Sequence, residues 1–439
     1  MTSTALPAPA PPMSGGLNVR LSLMMFLQYA IWGAWLPFLY DYLANSLEFT
    51  GAQIGQVFAA AAVGAILGPA IAGPIADRFV HTERLLGVSH ILGAGLIWQL
   101  SRTEDYQTFL ILALVYGFIY MPTLSLTNAL SFAHVPDRDR DFGRVRLWGT
   151  LGWIAVGLVM GHWLANVHSP EGSDAALASA LAAGKVDGFK LSALLGAAMG
   201  LYCFTLPATP PTRSAESNPA LRAVKEVRYQ PLLTLFLVAV PVSCIHQFYF
   251  VYAEGFISGR ITELPGWTKS VFGAGGGGLM TIGQMSEILV LGLIPLVARR
   301  VPRKVLLMVG LTAYAARMAL FAYVDSLPVP VGAALIAGIA LHGLCFGCFI
   351  FVAYMIVDEE TTADVRASAQ NLFNLVIVGV GIIVGSMVAT AIGEWAKGGT
   401  DVTDFRALFS VPMYAALACL VVILALYPLR GGRRDELAA

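Results

Sequence analysis

The chain has 439 residues, of which 57% are hydrophobic and only 12% charged, with 27 Lys plus Arg against 27 Asp plus Glu. A mean hydropathy of +0.71 excludes an ordinary soluble domain, in which about a quarter of residues are charged, and the zero net charge argues against a nucleic-acid partner, which calls for a basic surface. Apolar runs of about 20 residues, the length a helix needs to cross a hydrocarbon core of about 30 Å, recur from end to end, so the chain reads as an integral membrane protein.

The opening stretch, MTSTALPAPAPPMSGG, is rich in Pro and Ala and has neither a basic start nor an apolar centre. Residues 1–18 therefore read as a disordered tail and not as a cleaved signal. Twelve spanning helices follow, over 19–45, 52–78, 82–101, 106–134, 144–165, 188–207, 231–257, 273–298, 303–324, 328–357, 364–392 and 405–429. The longer ones imply tilt or protruding ends. Cationic residues concentrate in one set of loops, with Arg138, Arg140, Arg144, Arg299, Arg300 and Arg303 among them, while the opposite loops carry few. The rich side is expected to be cytoplasmic, which puts both termini inside a cell (inner) membrane. The stretch 208–230 is then a cytoplasmic linker between an N-terminal bundle, 19–207, and a C-terminal bundle, 231–429, with a tail over 430–439. All five cysteines lie in apolar runs, and the CxxC spacing of Cys345 and Cys348 lacks further ligands, so helix packing is expected and no disulfide, metal or cofactor.

The two halves repeat. GPIADRFVHTERLL (73–86) matches IPLVARRVPRKVLL (294–307); the same offset pairs Gln28 with Gln247 and Arg146 with Arg366. The fold class is thus all-α, with twelve transmembrane helices in two pseudo-symmetric six-helix bundles and a solute site between them near mid-membrane, the arrangement of a secondary transporter.

The halves differ where chemistry is expected. Gln284 and Glu287 align with Val63 and Ile66, and their i, i+3 spacing places both on one face of the eighth helix. An acid in mid-bilayer costs on the order of 3 kcal/mol by insertion scales, a cost that falls when apolar surroundings keep it protonated. A carboxyl able to sit neutral or charged suits coupling to protons; the bland alternative is an interhelical ion pair. Arg146, Thr150 and Trp153 form one stripe of the fifth helix, combining a donor fork, a hydroxyl and a flat ring that suit a planar polar solute. Arg146 could equally anchor the helix end at the headgroups. Gln247 sits among Phe248, Tyr249 and Phe250 on the seventh helix, His342 and Phe346 are i, i+4 on the tenth, and Gln28 and Trp32 on the first; each alone could be a helix–helix contact. Arg366 adjoins the acidic DEETTAD (358–364) and reads as a structural ion pair or gate residue. Asp77 and Arg78, at the cytoplasmic end of the second helix, are candidates for a conformational latch.

GPIADRF (73–79) resembles the signature between the second and third helices of the major facilitator superfamily. FLQYAIWGAWLPFL, YMPTLSLTNALSF, RLWGTLGW, GQMSEILVLGLIPL, RMALFAY and VRASAQNLF resemble, in order along nearly the full chain, the nucleoside:proton symporter family within it. The resemblance implies a major facilitator fold and a solute site formed by Arg146, Thr150, Trp153, Gln247, Gln284, Glu287 and Phe346. The chain departs from the pattern at three places: Phe250 stands where the family has Asn, His342 where it has Tyr, and Gly347 where it has Asp. Glu287 becomes the expected proton carrier, with His342 a possible second titrating group. The expected function is proton-coupled symport of a nucleoside or related small polar solute by a monomer that alternates access. Transport of a sugar or other metabolite, export, and a non-transporting sensor are the alternatives. No paired carboxylates or His-based nucleophile–base motif points to an enzyme.

Overall fold

The computed structural model describes residues 11–169, 173–211, 227–362, 365–400 and 402–428. The expected linker falls largely, and the C-terminal tail entirely, outside the described residues, as does the side chain of Asp77. Each expected span is a helix: α1 (Gly15–Asn45), α2 (Gly51–Arg78), α3 (Thr82–Leu100), α4 (Tyr106–His134), α5 (Arg138–Val167) and α6 (Val186–Cys203), then α7 (Leu232–Ser258), α8 (Gly276–Val297), α9 (Arg303–Ala322), α10 (Val331–Glu360), α11 (Ser368–Lys397) and α12 (Phe405–Leu426). Ten are long and apolar enough to cross a membrane; the other two, α3 and α6, are 19 and 18 residues long and carry acids in their first turns.

Polar residues just outside the apolar runs start several helices by accepting bonds from otherwise unpaired N–H groups. Thr50 and Gln53 form a reciprocal capping box on α2, Asp105 accepts from Thr108 N at 2.8 Å on α4, and Asp404 from Ala407 N at 3.0 Å on α12. Ser14 caps α1 at 3.3 Å, so this helix begins at Gly15, inside the stretch expected to be tail. Other departures are local. α1 breaks after Gly33 into a 3-10 turn, Leu36–Phe38, where Pro37 lacks an N–H. α5 starts at Arg138, before the expected 144. Wider π turns interrupt α10 at Phe346–Phe351 and α11 at Leu375–Val380, and short helices Asp174–Gly184 and Gly266–Phe272 fill two loops.

Packing repeats six helices on. In the first half α1 packs on α5 and α6, α4 on α2 and α3, and α3 on α6; in the second α7 packs on α11 and α12, α10 on α8 and α9, and α9 on α12. The halves meet through α5 with α8 and α2 with α11. Glycines make these approaches close, as small residues do between membrane helices. A Cβ on Gly278 of α8 would lie 3.3 Å from the Cα of Gly161 on α5, and one on Gly51 of α2 would lie 2.5 Å from Glu394 Oε1 of α11. The run before α8 holds Gly273 and Gly275 at φ +76° and +83°, a region other residues avoid, which brings Ala274 N within 2.8 Å of Gly161 O.

These contacts lie at one end of the molecule, opposite the arginine-rich loops. Lys185, before α6, is buried there and joins Asp41 of α1 to Glu254 of α7, the latter at 2.7 Å. Tyr40 and Tyr252 also meet across the halves, with ring centroids 4.7 Å apart. At the arginine-rich end the described ion pairs stay within one half: Arg140 with Asp141, Arg303 with Glu359 and Arg366 with Asp358. The two halves are thus sealed together at one face and not cross-linked by these pairs at the other.

Candidate functional site

Between the seal and the arginine-rich end, α8 carries Gln284 and Glu287 one turn apart. The Glu287 side chain is 12% exposed, with Oε2 at 3.6 Å from His342 Nε2 on α10. That separation is too long for a direct hydrogen bond and leaves an electrostatic contact. The other ring nitrogen of His342, Nδ1, is 3.0 Å from a terminal nitrogen of Arg317 on α9. A guanidinium only donates, so Nδ1 accepts and the ring's own hydrogen lies on Nε2, facing Glu287. The nitrogen through which a neutral His342 would accept a proton is thus engaged by Arg317.

Arg317 is fully buried and lies 4.0 Å over the Tyr249 ring, and Tyr249 in turn stacks on His342 at 5.5 Å. On α7, His246 Nδ1 is 2.8 Å from the Tyr314 hydroxyl of α9. Its ring centroid stands 5.3 Å from His342, 5.3 Å from Phe250 and 6.2 Å from Phe346. The π turn of α10 begins at Phe346, and π turns recur at functional positions. Within it, a Cβ on Gly347 would come 2.5 Å from Val290 Cγ1 of α8, so a larger side chain there would require Val290 to shift.

The first half supplies the facing wall. Trp153 lies edge-on to Trp32 at 5.8 Å and to Phe250 at 6.2 Å, so the aromatic lining crosses from one half to the other. Arg146 sits 4.0 Å over the Tyr29 ring and close enough to Glu287 for its charge to act on the carboxylate. That position is inside the bundle interface and not that of a lipid-facing anchor. Thr150 is half-buried on the turn between Arg146 and Trp153.

The structure therefore brings Arg146, Trp153, Phe250, Glu287, His342 and Phe346 together. Gln284 is buried beside them with Oε1 lacking a protein partner, an acceptor left for a solute or water. Gln247 is 5% exposed and its Nε2 donates to Ser386 Oγ of α11 at 3.0 Å, so one of its two amide hydrogens is already engaged. Its repeat partner Gln28 is absorbed into the first half, donating to Thr123 at 2.8 Å and meeting His90 at 2.9 Å. Arg366 pairs with Asp358 at 3.5 Å, the structural reading of that residue. Arg78 is exposed at the end of α2, and the Asp77 side chain lies outside the described residues.

Sequence reasoning passed over Arg317, His246 and the Lys185 triad. Arg317 had a signal, since a cation within the apolar AYAARMALFAY is as costly as Glu287 in its own run. His246, next to Gln247, and the triad, whose members sit at span ends like ordinary loop charges, had none.

Comparison with known proteins agrees with this geometry. The family described as Nucleoside H+ symporter matches residues 15–430. The chain is 30% identical over 383 residues to the xanthosine permease of Escherichia coli (strain K12), an alignment covering 85% of this chain and 87% of that one. It is 27% identical over 406 residues to the nucleoside permease NupG of the same strain, covering 90% and 92%. The crystal structure of nucleoside transporter NupG matches with a TM-score of 0.77 at 25% identity, over 93% of this chain and 98% of that one. With this match and the shared packing of its helices, the chain is a membrane protein of the major facilitator fold and belongs to the nucleoside H+ symporter family.

Proposed function

We propose that the chain moves a nucleoside together with protons across the cell membrane, working as a monomer with both termini in the cytoplasm and two six-helix units, 19–207 and 231–429, rocking about the site. The observation that carries the reading is the position of Glu287: a carboxylate between Arg146 of one half and His342 of the other, between a sealed face and the arginine-rich end. Trp153, Phe250 and Phe346 give the base a stacking surface, as aromatic rings do in other base-binding sites. Arg146, Thr150, Gln247, Gln284 and His342 supply polar contacts. Asp77 and Arg78 serve as the latch at the far end of α2.

Opening the sealed face separates α5 from α8 and so changes the distance between Arg146 and Glu287, while His342 and Arg317 stay with Glu287 in the second half. The carboxylate is best compensated in one state and less so in the other, and a proton fills the difference. That differential is what couples proton movement to the change of access. The test is uptake of radiolabelled uridine, inosine and xanthosine into proteoliposomes with and without an inward proton gradient. Accumulation above the external concentration only with the gradient supports the reading; equal, equilibrating uptake under both conditions refutes proton coupling. Failure of all three nucleosides to bind at millimolar concentration, measured as an absent thermal shift, refutes the solute class.

A further inference from the structure

We infer that Arg317 is a positioning residue for solute recognition: it locks His342 as a neutral Nε2–H donor aimed at the solute space beside Glu287. The inference deepens the reading above and rests on it for the solute, though not for the state of the ring.

Three observations carry it. Arg317 lies in the second half of α9 at 0% exposure, with Nε and one terminal nitrogen lacking a protein hydrogen-bond partner. A buried guanidinium with unsatisfied hydrogens is costly and is not what packing alone selects; an apolar side chain of similar volume serves a helix interface as well or better. Its described hydrogen bond runs to His342 Nδ1 at 3.0 Å, and a guanidinium has nothing to accept with. The bond therefore excludes both the Nδ1–H tautomer and the imidazolium, because each would set a hydrogen against a hydrogen. Third, the freed donor, Nε2–H, stands 3.6 Å from Glu287 Oε2, beyond a direct hydrogen bond, so it is left to donate to a solute or water oxygen alongside the carboxylate.

The groups around the ring agree. Arg317 approaches from α9, Glu287 from α8, and His246 and Tyr249 from α7. Cys345 belongs to the ring's own helix, Tyr314 acts through its bond to His246, and Arg146 of α5 acts on Glu287 through its charge. Arg317 and His246 do not favour a positive charge on His342, and Glu287 offers an acceptor to Nε2–H without requiring one. Seen from the solute, the second half presents a fixed donor, Nε2–H, next to an acceptor, the carboxylate. A family member with a phenol at this place has a hydroxyl that both donates and accepts, whereas His342 held by Arg317 only donates. The position then selects a solute acceptor, a base carbonyl or a ribose oxygen, at all working pH values.

The experiment uses full-length protein, labelled with 15N-histidine, in nanodiscs without solute. The His342 resonances are identified by their loss in His342→Gln. The expected result is a neutral Nε2–H tautomer unchanged between about pH 5 and 8. In Arg317→Met the ring, still buried but no longer held at Nδ1, is expected to populate both neutral tautomers, and the nucleoside KM to rise on the order of tenfold with kcat little changed, the size of one lost hydrogen bond. Arg317→Lys, which still donates, is expected to restore the wild-type tautomer and KM. A wild-type ring that carries its hydrogen on Nδ1, or that titrates in this range, overturns the inference; so does an Arg317→Met protein with the wild-type His342 signal and KM. If Arg317→Met does not fold, the wild-type spectrum and the Lys variant decide alone. Absence of nucleoside binding by the wild type refutes the proposed solute and leaves the tautomer result to stand or fall separately.

Discussion

At the scale of residues, the site is a set of charges that cannot all be satisfied within one half. Glu287 meets His342 within the second half, while the cation that acts on it from the first half is Arg146, across the interface. Trp153 and Phe250 likewise meet across it, 6.2 Å apart. A ring that forms the solute's stacking face should carry a measurable share of affinity: Trp153→Ala is expected to weaken nucleoside binding by roughly 1–3 kcal/mol, seen by calorimetry as a rise in Kd. An unchanged Kd would move the base away from this wall. Much of the site was legible because a carboxylate in an apolar run announces itself energetically, and because Arg146, Thr150 and Trp153 fall on one stripe. The state of His342 was not legible. It depends on Arg317, 25 residues earlier in the chain, and no local pattern tells which nitrogen of a ring meets which neighbour.

At the scale of elements, hydropathy was enough to place the helices, because a span must satisfy its own backbone in lipid. The breaks within them were less visible: the π turns of α10 and α11 have no Pro or polar residue to mark them. The glycines at the start of the eighth span, expected to be helical from 273, precede a helix that begins at Gly276 and form a packing seam with α5. Bulk there should pry the sealed face apart. A Cβ on Gly278 would stand 3.1 Å from the Phe272 carbonyl carbon and 3.3 Å from Gly161 Cα, with backbone on both sides and no flexible side chain to yield. Gly278→Val is therefore expected to shift the population toward a state open at this face. Spin labels at the exposed Asn166 and Trp267 would report it as a longer distance by electron paramagnetic resonance. An unchanged distance distribution with normal folding would show that the seam tolerates bulk and does not set the closed state.

At the scale of the whole molecule, the six-helix repeat was readable from three matched stretches, and the packing of α1 to α6 recurs in α7 to α12. Which face is closed was not readable, since one sequence must encode both access states and the contacts of each are scattered along it. Lys185 shows the difficulty: in sequence it is a loop cation, in the fold a buried link between Asp41 and Glu254 of opposite halves. Removing one member of a buried ion network costs about 3–5 kcal/mol by leaving the others unpaired. Lys185→Met is thus expected to destabilise the sealed face and lengthen the same spin-label distance, while Lys185→Arg retains most of the seal. A wild-type distribution in the Met variant would remove the triad from the conformational cycle.

The central claim is that Glu287 exchanges the coupled proton, and it is tested most directly by comparing wild type with Glu287→Gln in proteoliposomes carrying an imposed pH gradient. Gln keeps the shape and the hydrogen-bonding groups but cannot titrate. Wild type is expected to concentrate labelled nucleoside against its gradient. The Gln variant is expected to lose that accumulation while still exchanging internal for external nucleoside. A Glu287→Gln protein that concentrates nucleoside with wild-type dependence on the pH gradient would contradict the account.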